Sequence, residues 1–160
     1  MLRRLLALAG VITACACASR VAYSPPPSPP PEAPLTVAVP FDDAWSAVIQ
    51  ILFQKNVPVR TVEKASGILE SDDLRGEIGR DCDCGSYLGI AIGGYGGAYG
   101  GDAYYRFRIL VEPRGDRSTA ISLRSSCRAR VETVEGELSC RLSAAKEAEL
   151  RREIAERVRK

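Results

Sequence analysis

Leu35-Thr36-Val37-Ala38-Val39-Pro40-Phe41-Asp42-Asp43-Ala44-Trp45-Ser46-Ala47-Val48-Ile49-Gln50-Ile51-Leu52-Phe53 changes its period half-way along. Leu35, Val37 and Val39 alternate as in a half-buried strand, and Pro40, which has no N–H to give a ladder, ends it. Beyond Pro40 the apolar set Ala44, Trp45, Val48, Ile49, Leu52 and Phe53 recurs at helical spacing and predicts a core-facing helix. Asp42 or Asp43 can cap its first turn and oppose its dipole. A strand running straight into an amphipathic helix is thus the first unit.

Working outward, Val57-Pro58-Val59-Arg60-Thr61-Val62 places Val57, Val59 and Thr61 on one face. A turn from Lys64 to Gly67 returns the chain through Ile68 and Leu69 to Ser71, which reads as a hairpin. Tyr104 to Glu112 and Ser118 to Val131 are longer strand-like runs, separated by Pro113-Arg114-Gly115-Asp116, whose Pro and Gly suit a tight reversal. A last strand runs from Gly136 to Leu142, after which Ser143 can cap a charged helix with Leu150, Ile154 and Val158 four residues apart. That stripe is narrow and predicts packing at an edge. The order β-α-β-β-β-β-β-α predicts one α+β domain over residues 35–160, a curved antiparallel sheet with both helices on one face.

Phe41-Asp42-Asp43-Ala44-Trp45-Ser46-Ala47-Val48, followed by Val57-Pro58-Val59 and Gly67-Ile68-Leu69-Glu70-Ser71, resembles the repeated unit of envelope lipoproteins related to BamC (NlpB). In that family an aromatic-x-x-x-Trp helix leads into two strands joined by a Gly turn. The resemblance implies a helix-grip domain and a structural role in outer-membrane assembly. This chain has one such unit where the family has two, and it carries cysteines.

The N-terminus reads as a targeting segment. Arg3 and Arg4 precede an apolar run from Leu5 to Ala14. At about ten residues the run is half of the roughly 20 needed to cross a bilayer as a helix. Ile12-Thr13-Ala14-Cys15 resembles the bacterial lipobox, which implies removal of residues 1–14 and acylation of Cys15. Ordinary secretory cleavage is the alternative, since Ala14-Cys15-Ala16 and Ala16-Cys17-Ala18 both satisfy the small-x-small rule. Ala16, in place of Asp, implies sorting to the outer membrane, with the domain facing the periplasm. Lipid chains would hold it firmly, at about 0.8 kcal/mol per buried methylene.

Residues 15–34 then form the expected anchor and spacer. Seven of the ten prolines lie between Ser19 and Pro34. A dozen residues in polyproline II would lift the domain roughly 35 Å from the bilayer.

Composition narrows the functional classes. Without residues 1–14, and so without Arg3 and Arg4, basic and acidic side chains are equal at 20 each. No basic excess exists for nucleic acid. There is no histidine, which removes the Ser-His-Asp and Cys-His mechanisms. Carboxylate chemistry on cell wall stays open in principle through Asp72, Asp73, Glu77, Asp81, Asp83 and Asp102, although no spacing singles out a pair. The expectation is a non-enzyme without cofactor.

Of six cysteines, Cys15 is assigned to lipid and Cys17 lies near the anchor, leaving Cys82, Cys84, Cys127 and Cys140 in the domain. In an oxidising periplasm disulfides are the default. Cys82 and Cys84 are too close to bridge each other, so each is expected to pair with Cys127 or Cys140, for about 2 to 4 kcal/mol per bridge. The alternative is that Asp81-Cys82-Asp83-Cys84 binds a soft metal.

Between Gly85 and Gly101 eight glycines alternate with Tyr87, Tyr95 and Tyr99. The run lacks both the Gly-Lys-Ser/Thr end of a P-loop and any Gly-x-Gly-x-x-Gly window, so no nucleotide is expected. It predicts a mobile loop whose tyrosines could dock on a partner. The expected function is a tethered envelope lipoprotein with a structural or partner-binding role, anchored to the membrane and bound to another envelope protein. A small binding module for metal or peptidoglycan is the alternative.

Overall fold

A computed structural model describes residues 23–28, 32–87, 90–93, 101–132 and 136–159. In chain order the elements are β1 (Tyr23–Ser24), β2 (Leu35–Val37), α1 (Phe41–Gln54), β3 (Val59–Glu63), β4 (Ile68–Ser71), β5 (Leu74–Gly76) and β6 (Cys82–Asp83). They continue with β7 (Ser86–Tyr87), β8 (Ile90–Ala91), β9 (Gly101–Pro113), β10 (Thr119–Val131), β11 (Leu138–Leu142) and α2 (Ala144–Val158). Cys15, Cys17, Tyr95 and Tyr99 lie outside the described residues. Among the described residues no helix is long and apolar enough to cross a membrane.

The spine is the antiparallel hairpin β9–β10, paired residue by residue from Pro113↔Thr119 to Gly101↔Val131. Its reversal follows Pro113, where the Arg114 N–H donates to the Ser118 carbonyl at 2.8 Å. One flank of β9 carries β4 and β5 in succession, and one flank of β10 carries β2 and β11, all antiparallel. Strand order β3-β4-β9-β10-β11-β6 completes the sheet, and β1-β7-β8 form a small second one. The α+β class and the two helices on a mostly antiparallel sheet are as the sequence predicts.

Alternation sorts the two faces. Along β9, Ala103, Phe107, Ile109 and Val111 are buried while Tyr104 and Arg108 are exposed; along β10, Ile121, Leu123, Cys127, Ala129 and Val131 are buried. Thirteen residues at about 3.3 Å each make a hairpin of roughly 43 Å. The fourteen residues of α1 reach only about 21 Å. The helices can therefore cover half of the inner face, and the buried residues divide accordingly. At the turn end, α1 and α2 pack over Leu69, Phe107, Ile109, Val111, Ile121 and Leu142. At the open end a second, smaller core holds Cys82, Cys84, Ile92, Ala103, Cys127, Ala129, Val131 and Leu138.

Details of the helices and hairpin depart from expectation. Ala44, Trp45, Val48, Ile51 and Leu52 are the buried face of α1, whereas Phe53 is 81% exposed. At about 100° per residue Phe53 stands about 180° from Ala44, and Ile51 takes the inward position instead. The N-cap is Pro40 with no side-chain cap, since the helix begins at Phe41 and so places Asp42 and Asp43 inside its first turn. There they still face the dipole, and Asp42 also meets Lys64 at 2.8 Å. The expected apolar face of β3 is not buried: Val59 is 38% exposed, on an edge strand broken by a bulge between Val59 and Thr61. Gly67 (φ +69°) makes the predicted turn, and a Cβ there would fall 2.0 Å from the Val111 carbonyl oxygen. Ser143 caps α2 as expected, accepting from the Lys146 N–H at 3.3 Å, and Leu150, Ile154 and Val158 are its buried stripe, packed with α1 and β2.

Candidate interaction faces

Four cysteines meet at the open end of the hairpin because of strand register. Cys127 stands opposite Cys140 in the β10–β11 ladder. On the far side of β11, Arg141 pairs with Asp83 and Leu142 with Cys82, which brings the next residue, Cys84, beside Cys140. The bonds formed are Cys84–Cys140, with Cα atoms 4.3 Å apart, and Cys82–Cys127, with Cα atoms 6.1 Å apart. All four sulfurs are thereby committed, so the Asp81-Cys82-Asp83-Cys84 run has no thiolate to offer a metal in this state. Cys82 and Cys84 are fully buried, with Ile92 folded back under them through the Ile92 N–H to Gly85 carbonyl bond of 2.9 Å.

Asp81 anchors this Cys-rich hook. Its carboxylate accepts from the Glu77 N–H at 2.9 Å and from Arg80 at 3.0 Å, and its carbonyl accepts from the Ser143 N–H at 2.7 Å, tying the hook to the start of α2. Burial pushes the Asp81 carboxyl up, but the Arg80 and Glu77 hydrogen bonds and the Arg80 charge outweigh that and leave it below its ordinary 3.8. Tyr87 does not sit on a free loop: it is half-buried in β7, opposite Tyr23 of β1 and Ile90 of β8, against the second core.

The outer sheet face is an ion-pair lattice. Asp73 accepts from Arg106 at 3.0 Å and from Arg128 at 2.6 Å; Glu70 meets Arg106 at 3.7 Å and Arg108 at 3.3 Å. Arg128 also reaches Glu137 at 3.3 Å and lies over the Tyr104 ring, 5.8 Å from its centre. A cavity of about 230 Å³ opens between Asp73, Tyr104, Arg106, Ser126 and Arg128. Desolvation works to raise the Asp73 carboxyl, and the two arginines overcome it and hold the group below 3.8. The signal for this face in the sequence is the period-two recurrence of Arg106 with Arg108 on one strand and of Arg124, Arg128 and Arg130 on the next.

Each of the six carboxylates considered for glycosidic chemistry is spoken for by an arginine. Asp72 meets Arg60, Asp73 meets Arg106 and Arg128, Glu77 and Asp81 share Arg80, Asp83 meets Arg141, and Asp102 meets Arg75. A general acid at neutral pH needs a raised pKa, and Asp73 and Asp81 are held below the ordinary carboxylate value.

No family model matches the chain, and no curated protein matches it.

Residues 23–28 and 32–34 of the segment expected as a spacer lie against the domain. β1 pairs with β7, the Tyr23 hydroxyl donates to the Ser139 carbonyl at 2.9 Å, and Arg141 donates to the Pro27 carbonyl at 3.2 Å. Farther on, Arg151 of α2 binds the Ala33 carbonyl at 2.6 Å and the Glu32 carboxylate. Prolines cannot donate, but their carbonyls accept, and arginines supply the donors. Between this strap and the sheet runs a groove of about 750 Å³ lined by Tyr23, Pro26, Ser122, Arg124, Ser125 and Arg141.

Proposed function

We propose that the protein is a non-catalytic binding module of the bacterial cell envelope, held at a membrane through an acylated Cys15 and exposed to an oxidising compartment. The observation that carries this reading is the complete pairing of the domain's four cysteines in two links, both within the smaller second core. That leaves Cys15, at the end of the lipobox-like Ile12-Thr13-Ala14-Cys15, and Cys17 outside the disulfide framework. A role without catalysis is supported by the lack of histidine and by the pairing of every candidate carboxylate. The resemblance to the BamC-type unit agrees with an outer-membrane setting and a partner among envelope proteins.

Intact mass of the protein purified from membranes, without reduction and with thiol alkylation, tests both parts together. The expected species begins at Cys15, carries three acyl chains, and has Cys82, Cys84, Cys127 and Cys140 all unreactive. An unacylated chain with alkylated Cys82 and Cys84 overturns the reading and returns attention to thiol or metal chemistry.

A further inference from the structure

β10 is paired to β9 along its whole length, but on its other edge only Thr119–Ile121 meet β2 and only Cys127–Ala129 meet β11. Among the described residues the stretch from Ser122 to Ser126 has no strand partner and no backbone hydrogen bond on that edge. Both flanks explain why. Pro34, immediately before Leu35, cannot continue the β2 ladder, and Arg151 draws Glu32 and the Ala33 carbonyl toward α2. On the other side the β10–β11 ladder ends at Cys127↔Cys140, while Arg141 and Leu142 pair with β6 on the far edge of β11. The groove of about 750 Å³ lies along this gap. That volume is in the range of sites that enclose a ligand.

The geometry points to an extended acidic peptide as the occupant, adding as a short strand to β10 between β2 and β11. A five-residue gap in a sheet presents backbone donors and acceptors at strand spacing, which an extended peptide satisfies and a saccharide does not. Charge selects the side chain. Arg124, on the outer face and lining the groove, has no ion pair among the described residues, in contrast to Arg106, Arg108 and Arg128 around it. Arg141, at the groove's far end, gives its two terminal nitrogens to Pro27 and Asp83, and its buried Nε is left without an acceptor. A peptide carboxylate opposite Arg124 is a cross-strand ion pair on the outer face. Glu147 lines the inner side of the groove, where burial and the neighbouring Glu32 push its carboxyl up, so the flanking peptide residues that point inward are neutral or basic.

This goes beyond the tethering reading and stands apart from it, because binding is measured on the full chain from membranes whether or not Cys15 is acylated. The probe is a fluorescent heptapeptide, Thr-Val-Thr-Glu-Thr-Val-Thr, read by anisotropy. Saturable binding is expected, weakened about tenfold by Arg124→Glu, restored by a Lys-centred peptide on that variant, and abolished when alternate peptide nitrogens are methylated. Arg124 is exposed, so the variant keeps its fold, checked by circular dichroism and unreactive thiols. Absence of binding to the intact chain overturns the proposal, as does binding indifferent to both N-methylation and Arg124→Glu. Binding seen only in Tyr23→Phe, which loosens the strap, means that the strap itself is the occupant, and also overturns it. Displacement of the peptide by an N-acetylglucosamine hexasaccharide at equal concentration does the same and makes the groove a glycan site.

Discussion

At the residue scale, single polar side chains stand in where the sheet changes strands. β4 ends at Ser71 and β5 begins at Leu74, both on the same flank of β9. Across that join the Phe107 N–H donates to Ser71 Oγ at 2.9 Å, and Ser71 is 1% exposed. Ser71→Ala deletes the acceptor and keeps the buried donor, so we expect a loss of about 1 to 3 kcal/mol in urea unfolding with an unchanged m-value. A neutral result would mean that water reaches the Phe107 amide. Ser71 is legible in the sequence as a strand end, but its bond is not, because the partner lies 36 residues away and is chosen by register. The same holds for Thr119, whose hydroxyl donates to the Val39 carbonyl at 2.8 Å and ties β10 to the approach to α1.

At the scale of elements, the two halves of the long hairpin are stabilised by different means. The turn end is covered by α1 and α2, whose apolar stripes were largely visible as periodicity. The open end is roofed by Cys82, Cys84, Tyr87 and Ile92 of the hook and stapled by bonds spanning 45 and 56 residues. Replacing Cys84 and Cys140 together by Ser is expected to cost about 2 to 4 kcal/mol. It should raise amide exchange in the hook and β11 more than in α1, which hydrogen-exchange mass spectrometry resolves. Uniform loosening of both halves would show that the two cores unfold as one. A hook held chiefly by two covalent links could not be read from a Gly-rich stretch with few large apolar residues. Only the count of four domain cysteines hinted at it.

At the scale of the whole molecule, charge is balanced by pairing and not by segregation, and this gives the stability a defined pH response. Asp73 and Asp81 have folded pKa values below 3.8, so their contribution is present above that value and is lost as pH falls through the depressed folded values. Glu147 has the opposite sign: held above 4.5 by burial and Glu32, it favours the fold while protonated, and that contribution is lost as pH rises through its folded value. Thermal melts should therefore show a Tm that drops below about pH 4. Glu147→Gln should raise the Tm at pH 7, and Asp81→Asn should shrink the acid drop. A Tm flat from pH 7 to 3 would mean that these carboxylates titrate alike in the folded and unfolded chain. The order of the two helices and the six main strands, the faces of most of them, the Gly67 turn, the Ser143 cap and the number of cysteines to be paired are legible in the sequence, because each follows from local period or local backbone chemistry, whereas the short strands β1 and β5–β8 are not. Tertiary structure alone decided which cysteine meets which, how Arg106 and Arg128 converge on Asp73, and that Ser122–Ser126 find no strand partner among the described residues. Those contacts join residues far apart in the chain through strand register and the mismatch between a hairpin of about 43 Å and a helix of about 21 Å, which no local pattern encodes.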